Sequence, residues 1–163
     1  MTRTLILACG NPVRGDDAIA LELARLLRDQ FAGPLVTVRT SQQWTPELAE
    51  PLIRCDLAIF LDASVNFSPG FVHCESVRPL AAKPHALLTH SCTPPLLLSL
   101  SQHLYNHLPE RAFLLTIGAQ SFAFSYSLST PVQRAIPEAL SRVHSILAGA
   151  TFSPSVLHAL SAP

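Results

Sequence analysis

Charge is scarce in this chain, and what there is cancels. Only 13% of the residues are charged, with 11 basic side chains against 11 acidic ones and a formal net charge of zero. Nucleic-acid binders carry a basic excess or stripe, so that class is set aside. Long apolar runs are missing too. The richest stretch, residues 94–100, falls far short of the roughly 18 residues a membrane-spanning helix needs. At the amino terminus, a short apolar run is interrupted at once by Gly10, Asn11, Pro12, Arg14, Asp16 and Asp17. An export signal needs a longer apolar region and a small-residue cleavage site, so a cytoplasmic protein is expected. The cysteines Cys9, Cys55, Cys74 and Cys92 include no CxxC pair, which argues against structural zinc and for reduced, mostly buried thiols.

What is present is apolar. Hydrophobic residues make up 48% of 163, which suffices for one domain with a real core and excludes a disordered chain. Residues 4–9 and 57–61 are continuous apolar runs, the second ended by Asp62, and both suit strands buried on two faces. Residues 113–117 read the same way, while 35–39 alternate and 71–77 are mixed. Helical spacing runs through 16–31, 94–104 and 131–148, with Pro137 marking a kink or a late start in the last. Pro46 opens a short helix through residue 53. Strands alternating with helices predict an α/β fold: three layers, a twisted, mainly parallel central sheet and helices on both faces. The domain is assigned to residues 1–150 and a Ser/Pro-rich tail to 151–163, and a monomer is expected.

In open parallel sheets, functional groups collect beyond the carboxyl ends of the strands. The first strand leads into Asp16 and Asp17, the third into Asp62, and the loop holding His90 and Cys92 precedes a helix. Two carboxylates and an imidazole on one rim would suit a borderline divalent ion such as zinc or nickel. Each residue also has a plainer reading. Asp16 and Asp17 open a helix, where acidic residues cap the chain and favour the dipole. Asp62 is equally open to a structural partnership, and His90 is one of seven histidines.

Six ordered blocks then carry a resemblance. They are Cys9-Gly10-Asn11-Pro12-Val13-Arg14-Gly15-Asp16-Asp17-Ala18-Ile19-Ala20, Gln43-Trp44-Thr45-Pro46-Glu47-Leu48-Ala49 and Ile59-Phe60-Leu61-Asp62-Ala63. Next come His90-Ser91-Cys92-Thr93-Pro94-Pro95-Leu96-Leu97, Thr116-Ile117-Gly118-Ala119 and Ser127-Leu128-Ser129-Thr130-Pro131-Val132. Together, across residues 3–148, they resemble the hydrogenase maturation endopeptidases. The chain departs from that pattern at Ala20 and Asn106, where relatives often have Gly, and at Ser125-Tyr126, which replaces a Gly-Glu pair.

The resemblance implies removal of a C-terminal extension from the large-subunit precursor of a nickel-iron hydrogenase after nickel insertion. It implies metal ligation by Asp17, Asp62 and His90, with the nickel belonging to the precursor and no organic cofactor. Asp16 or Asp17 is left as the candidate general base. Rival readings are a non-catalytic, metal-dependent binding protein for the immature hydrogenase and a thiol hydrolase using Cys92 with His90. A nucleotide-binding protein is the weakest, because Gly10 and Gly15 do not make the Gly-x-Gly-x-x-Gly fingerprint.

Overall fold

A computed structural model describes residues 2–31, 33–81 and 92–149. His90 and the 151–163 tail lie outside them. The strands are β1 (Thr4–Cys9), β2 (Val36–Ser41), β3 (Leu57–Ser64), β4 (Val72–Ser76) and β5 (Arg111–Gly118). They form one sheet in the order β2-β1-β3-β5-β4. All neighbours pair parallel except β4, which runs antiparallel to β5 at one edge. The helices are α1 (Ile19–Gln30), α2 (Pro94–Tyr105) and α3 (Thr130–Leu147). Two 3-10 segments, Gly15–Ala18 and Pro46–Arg54, complete the set among the described residues.

The continuous apolar runs are buried on both faces, as parallel strands require. Ile6, Ala8, Ile59, Leu61, Leu115 and Ile117 pack under α1 and α3, against Leu23, Leu27, Val132 and Val143. Their alternates Leu5, Leu7, Ala58 and Phe60 pack the other way, against Leu52 of the 3-10 helix and Leu97 and Leu98 of α2. The two-residue strand period thus divides one run between two cores. The α/β, three-layer expectation holds.

Three local readings change. The first helix divides: α1 begins at Ile19, after a 3-10 turn that starts at Gly15 with φ +51°. That backbone conformation suits glycine and interrupts a regular helix. β3 does not stop at Asp62 but continues to Ser64, because Asp62, Ala63 and Ser64 stay in register with Thr116, Ile117 and Gly118 of β5. Of the two readings of Pro137 the late start is set aside: α3 runs from Thr130 through it, with prolines at its start and inside. Asn106, standing where relatives often have Gly, closes α2 in the left-handed region at φ 51°. Asn tolerates that region better than other side chains, so the departure is mild.

Candidate active site

From β1 the chain crosses over α1 to β2 on one side. From β2 it returns past β1 and enters β3 on the other. Connections that leave a sheet in opposite directions open a crevice at the carboxyl ends of the strands where they part. Here that crevice lies between β1 and β3. Cys9 ends β1, and Asp62 lies one residue past the last β1–β3 pair, Ala8 with Leu61.

Asp17 reaches the same place from the Gly15–Ala18 turn, which packs on β3. Its Oδ2 accepts the Asn11 backbone N–H at 3.0 Å, and its Oδ1 accepts no hydrogen bond among the described residues. Gly10 makes this approach possible. A Cβ there would overlap the Asp17 carbonyl oxygen, so any larger residue would push the turn off the end of β1. Asn11 steadies the corner by accepting the Val13 N–H on its own Oδ1 at 3.1 Å.

Asp62 is half-buried and held at both oxygens. The Trp44 indole N–H donates to Oδ2 at 3.0 Å and the Ala63 N–H to Oδ1 at 2.9 Å. Burial pushes its carboxyl above the usual carboxylate range. The two hydrogen bonds oppose that shift, and the negative charge of Asp17 adds to it. Among the described residues no cation pairs with either carboxylate. Cys9 fills the space beside them. Burial first, then Asp62 and Asp17, push its thiol up to about 12, so it is a neutral wall of the crevice.

Asp16, adjacent in sequence, does something else. It is buried, its Oδ1 accepts the Ser129 N–H at 2.6 Å, and its Oδ2 accepts the Ser129 Oγ–H and the Gln120 N–H, both at 2.8 Å. A longer contact of 3.4 Å comes from the Ser121 N–H. The Gly15 N–H donates to the Ser125 carbonyl at 2.9 Å, and the Ser125 N–H returns to Val13 at 3.1 Å. Asp16 therefore clamps loop 119–129 to the first turn. With its oxygens engaged, Asp17 is the freer of the two candidate bases. Neither caps α1, whose N-terminus has no side-chain cap hydrogen bond.

Beside the Asp17 turn is a hollow of about 590 Å³, lined by Pro12, Ala18, Leu21, Tyr126, Leu128 and Ile136 among others. Tyr126 and Phe124 form an exposed edge-to-face pair, ring centroids 5.4 Å apart, above it on the clamped loop. At Cys92, the candidate nucleophile of the thiol-hydrolase reading, burial raises the thiol, the wrong direction for catalysis. Among the described residues no three His, Cys, Asp or Glu side chains are placed to hold a metal ion. The crevice gathers Asp17 and Asp62, while the third ligand that the resemblance implies, His90, lies outside the described residues. In the sequence Trp44 stands only as part of one of the six blocks. Its singularity was the one available signal, since it is the only tryptophan in the chain.

The fold and crevice define a doubly wound α/β protein with an acidic centre at its topological switch point. No family model matches the chain, and no curated protein matches it in sequence. Solved structures do match. The hydrogenase maturating endopeptidase HybD from E. coli superposes with a TM-score of 0.69 at 23% identity, covering 91% of this chain and 93% of that one. The [NiFe] hydrogenase maturation protease HycI from Thermococcus kodakarensis gives 0.68 at 22% identity, over 90% and 93%. A hydrogenase 2 maturation peptidase from a Thaumarchaeota archaeon gives 0.65 at 23%, over 90% and 98%. The chain has the fold of these peptidases.

Proposed function

We propose that this chain is an endopeptidase that removes the C-terminal extension of a nickel-iron hydrogenase large-subunit precursor once nickel is in place. The observation that carries this reading is the pair Asp17 and Asp62, two carboxylates in one crevice that no cation pairs with among the described residues. Like charges in a half-buried site are relieved by a proton or by a cation. A nickel ion held in the precursor would supply the cation, and His90 is the proposed third ligand. Carboxylate and imidazole donors suit that borderline ion. The nickel belongs to the substrate and is recognised there rather than permanently bound, so the chain alone takes up the free ion reversibly.

Hydrolysis then needs a water, a base and a held peptide. We assign Asp17, whose Oδ1 accepts no hydrogen bond among the described residues, the part of taking a proton from the attacking water and returning it to the leaving amide nitrogen. Asp62, fixed at both oxygens, contributes charge and geometry. The hollow beside Pro12 and Ala18 offers the scissile segment a seat next to that turn. Among the described residues no helix is long and apolar enough to cross a membrane, and we place the reaction in the cytoplasm.

The test is to incubate the protein with nickel-loaded precursor and weigh the large subunit. Loss of the extension is expected with the wild-type chain and not with Asp17→Asn, Asp62→Asn or His90→Ala. A stable complex with no loss of mass would replace the peptidase by the metal-dependent binding protein.

A further inference from the structure

Trp44 sits where the chain, having left β2 at Ser41, turns back over the end of β1 towards β3. Its surroundings leave it little freedom. Ser41 Oγ–H donates to the Gln43 carbonyl at 2.7 Å, and the Leu48 N–H closes on the Thr45 carbonyl at 3.0 Å. Thr45 is extended and Pro46 opens the 3-10 helix. The indole lies edge-on to Phe60, centroids 5.7 Å apart at 74°. Phe60 and Asp62 are two residues apart on β3 and so face the same way. One ring thus packs on a fully buried phenylalanine and donates to the carboxylate beside it.

We infer that Trp44 is a positioning residue, whose indole N–H sets the Asp62 carboxylate in the orientation that meets the metal. The inference rests on the proposed metal-recognising role of Asp62. An indole can donate but cannot accept, and it carries no charge. It therefore orients Asp62 without neutralising it. A lysine or arginine there would also donate, but its charge would compete with the incoming ion. A phenylalanine would pack on Phe60 and donate nothing. Each Asp62 oxygen retains acceptor capacity after its one hydrogen bond, so both remain able to face a cation. Hydrogen-bonded partners of metal ligands change metal affinity by about 10–100-fold when removed.

The test uses the full chain and nickel(II) alone. Calorimetric titration of Trp44→Phe is expected to show affinity about 10–100-fold below wild type. Phe60→Leu, which loosens the packing and spares the hydrogen bond, is expected to keep wild-type affinity. A second measurement needs no change at position 44. The emission of the single tryptophan should be quenched saturably by nickel in the wild-type chain and left unquenched in Asp62→Asn. If Asp62→Asn loses nickel while Trp44→Phe binds as wild type, or if bound nickel leaves the emission untouched, the role given to Trp44 falls and the peptidase reading stands. If the wild-type chain takes up no nickel, or Asp62→Asn takes it up equally well, the metal role of Asp62 falls and the role of Trp44 falls with it.

Discussion

β3 is flanked by the same side chain in opposite company. Just before it, Asp56 accepts the backbone N–H of Arg3 at 2.8 Å and its guanidinium at 2.9 and 3.3 Å. Those bonds and the positive charge hold the Asp56 carboxyl down at about 2. Near the other end Asp62 has an indole and an amide but, among the described residues, no cation, and burial raises it. The first carboxylate has its charge answered within the fold. The second keeps its charge unanswered at the crevice. A half-buried carboxylate held by neutral donors, whose burial opposes its charge, is the kind of group an active site retains.

The largest effect should come from erasing the unanswered charge. Asp62→Asn or Asp17→Asn is expected to cut precursor processing by about 100-fold or more, with circular dichroism unchanged. Equal processing by the variants would remove the distinction between the two ends. Next comes Asp16, whose four donors would be stranded by Asp16→Ala. A loss of about 3 kcal/mol in urea unfolding is expected, because unsatisfied buried donors cost about 1–3 kcal/mol each and the loop relaxes partly into water.

A subtler test sets the two ends of β3 against each other through pH. The Asp56 carboxyl is lowered, so its stabilisation is full above its ordinary value of 3.8 and disappears as pH falls through about 2. The advantage of wild type over Asp56→Asn in thermal melts should narrow over that window. Asp62 is raised, so the folded chain holds its proton more tightly than the unfolded chain does. Its contribution is best at low pH and declines as pH rises through the ordinary carboxylate range to the raised value. Melts of Asp62→Asn should therefore diverge from wild type in the opposite sense. The smallest effect belongs to Arg3→Ala at the exposed pair: a slight fall in melting temperature at low salt that shrinks at about 1 M salt, where the Debye length is about 3 Å.

Much of this fold was legible because burial on two faces writes itself as unbroken apolar runs. Residues 4–9 and 57–61 could hardly be anything but central strands. The rule that functional groups gather beyond the carboxyl ends of parallel strands brings Asp17 and Asp62 to one rim from sequence alone. Other features had no periodic signature. Asp16 and Asp17 are adjacent carboxylates, and only the rotation of a 3-10 turn sends one into a loop clamp and the other into the crevice. The hydrogen bond from Trp44 spans 18 residues and depends on how the β2–β3 crossover bends. The end of β3 was misplaced because a carboxylate normally closes an apolar run, whereas pairing with β5 carries this strand past it.

The Asp16 clamp has a consequence for how such a protein can change. Three of its four donors are backbone amides, of Gln120, Ser121 and Ser129, and only Ser129 adds a side chain. The grip does not depend on the side chains at positions 122–128. Within that stretch Leu128 packs on the core, whereas the exposed Phe124 and Tyr126 stand outward on a fixed mount. A substitution at either aromatic therefore alters what the rim presents without touching the four bonds that fix the loop over the two carboxylates.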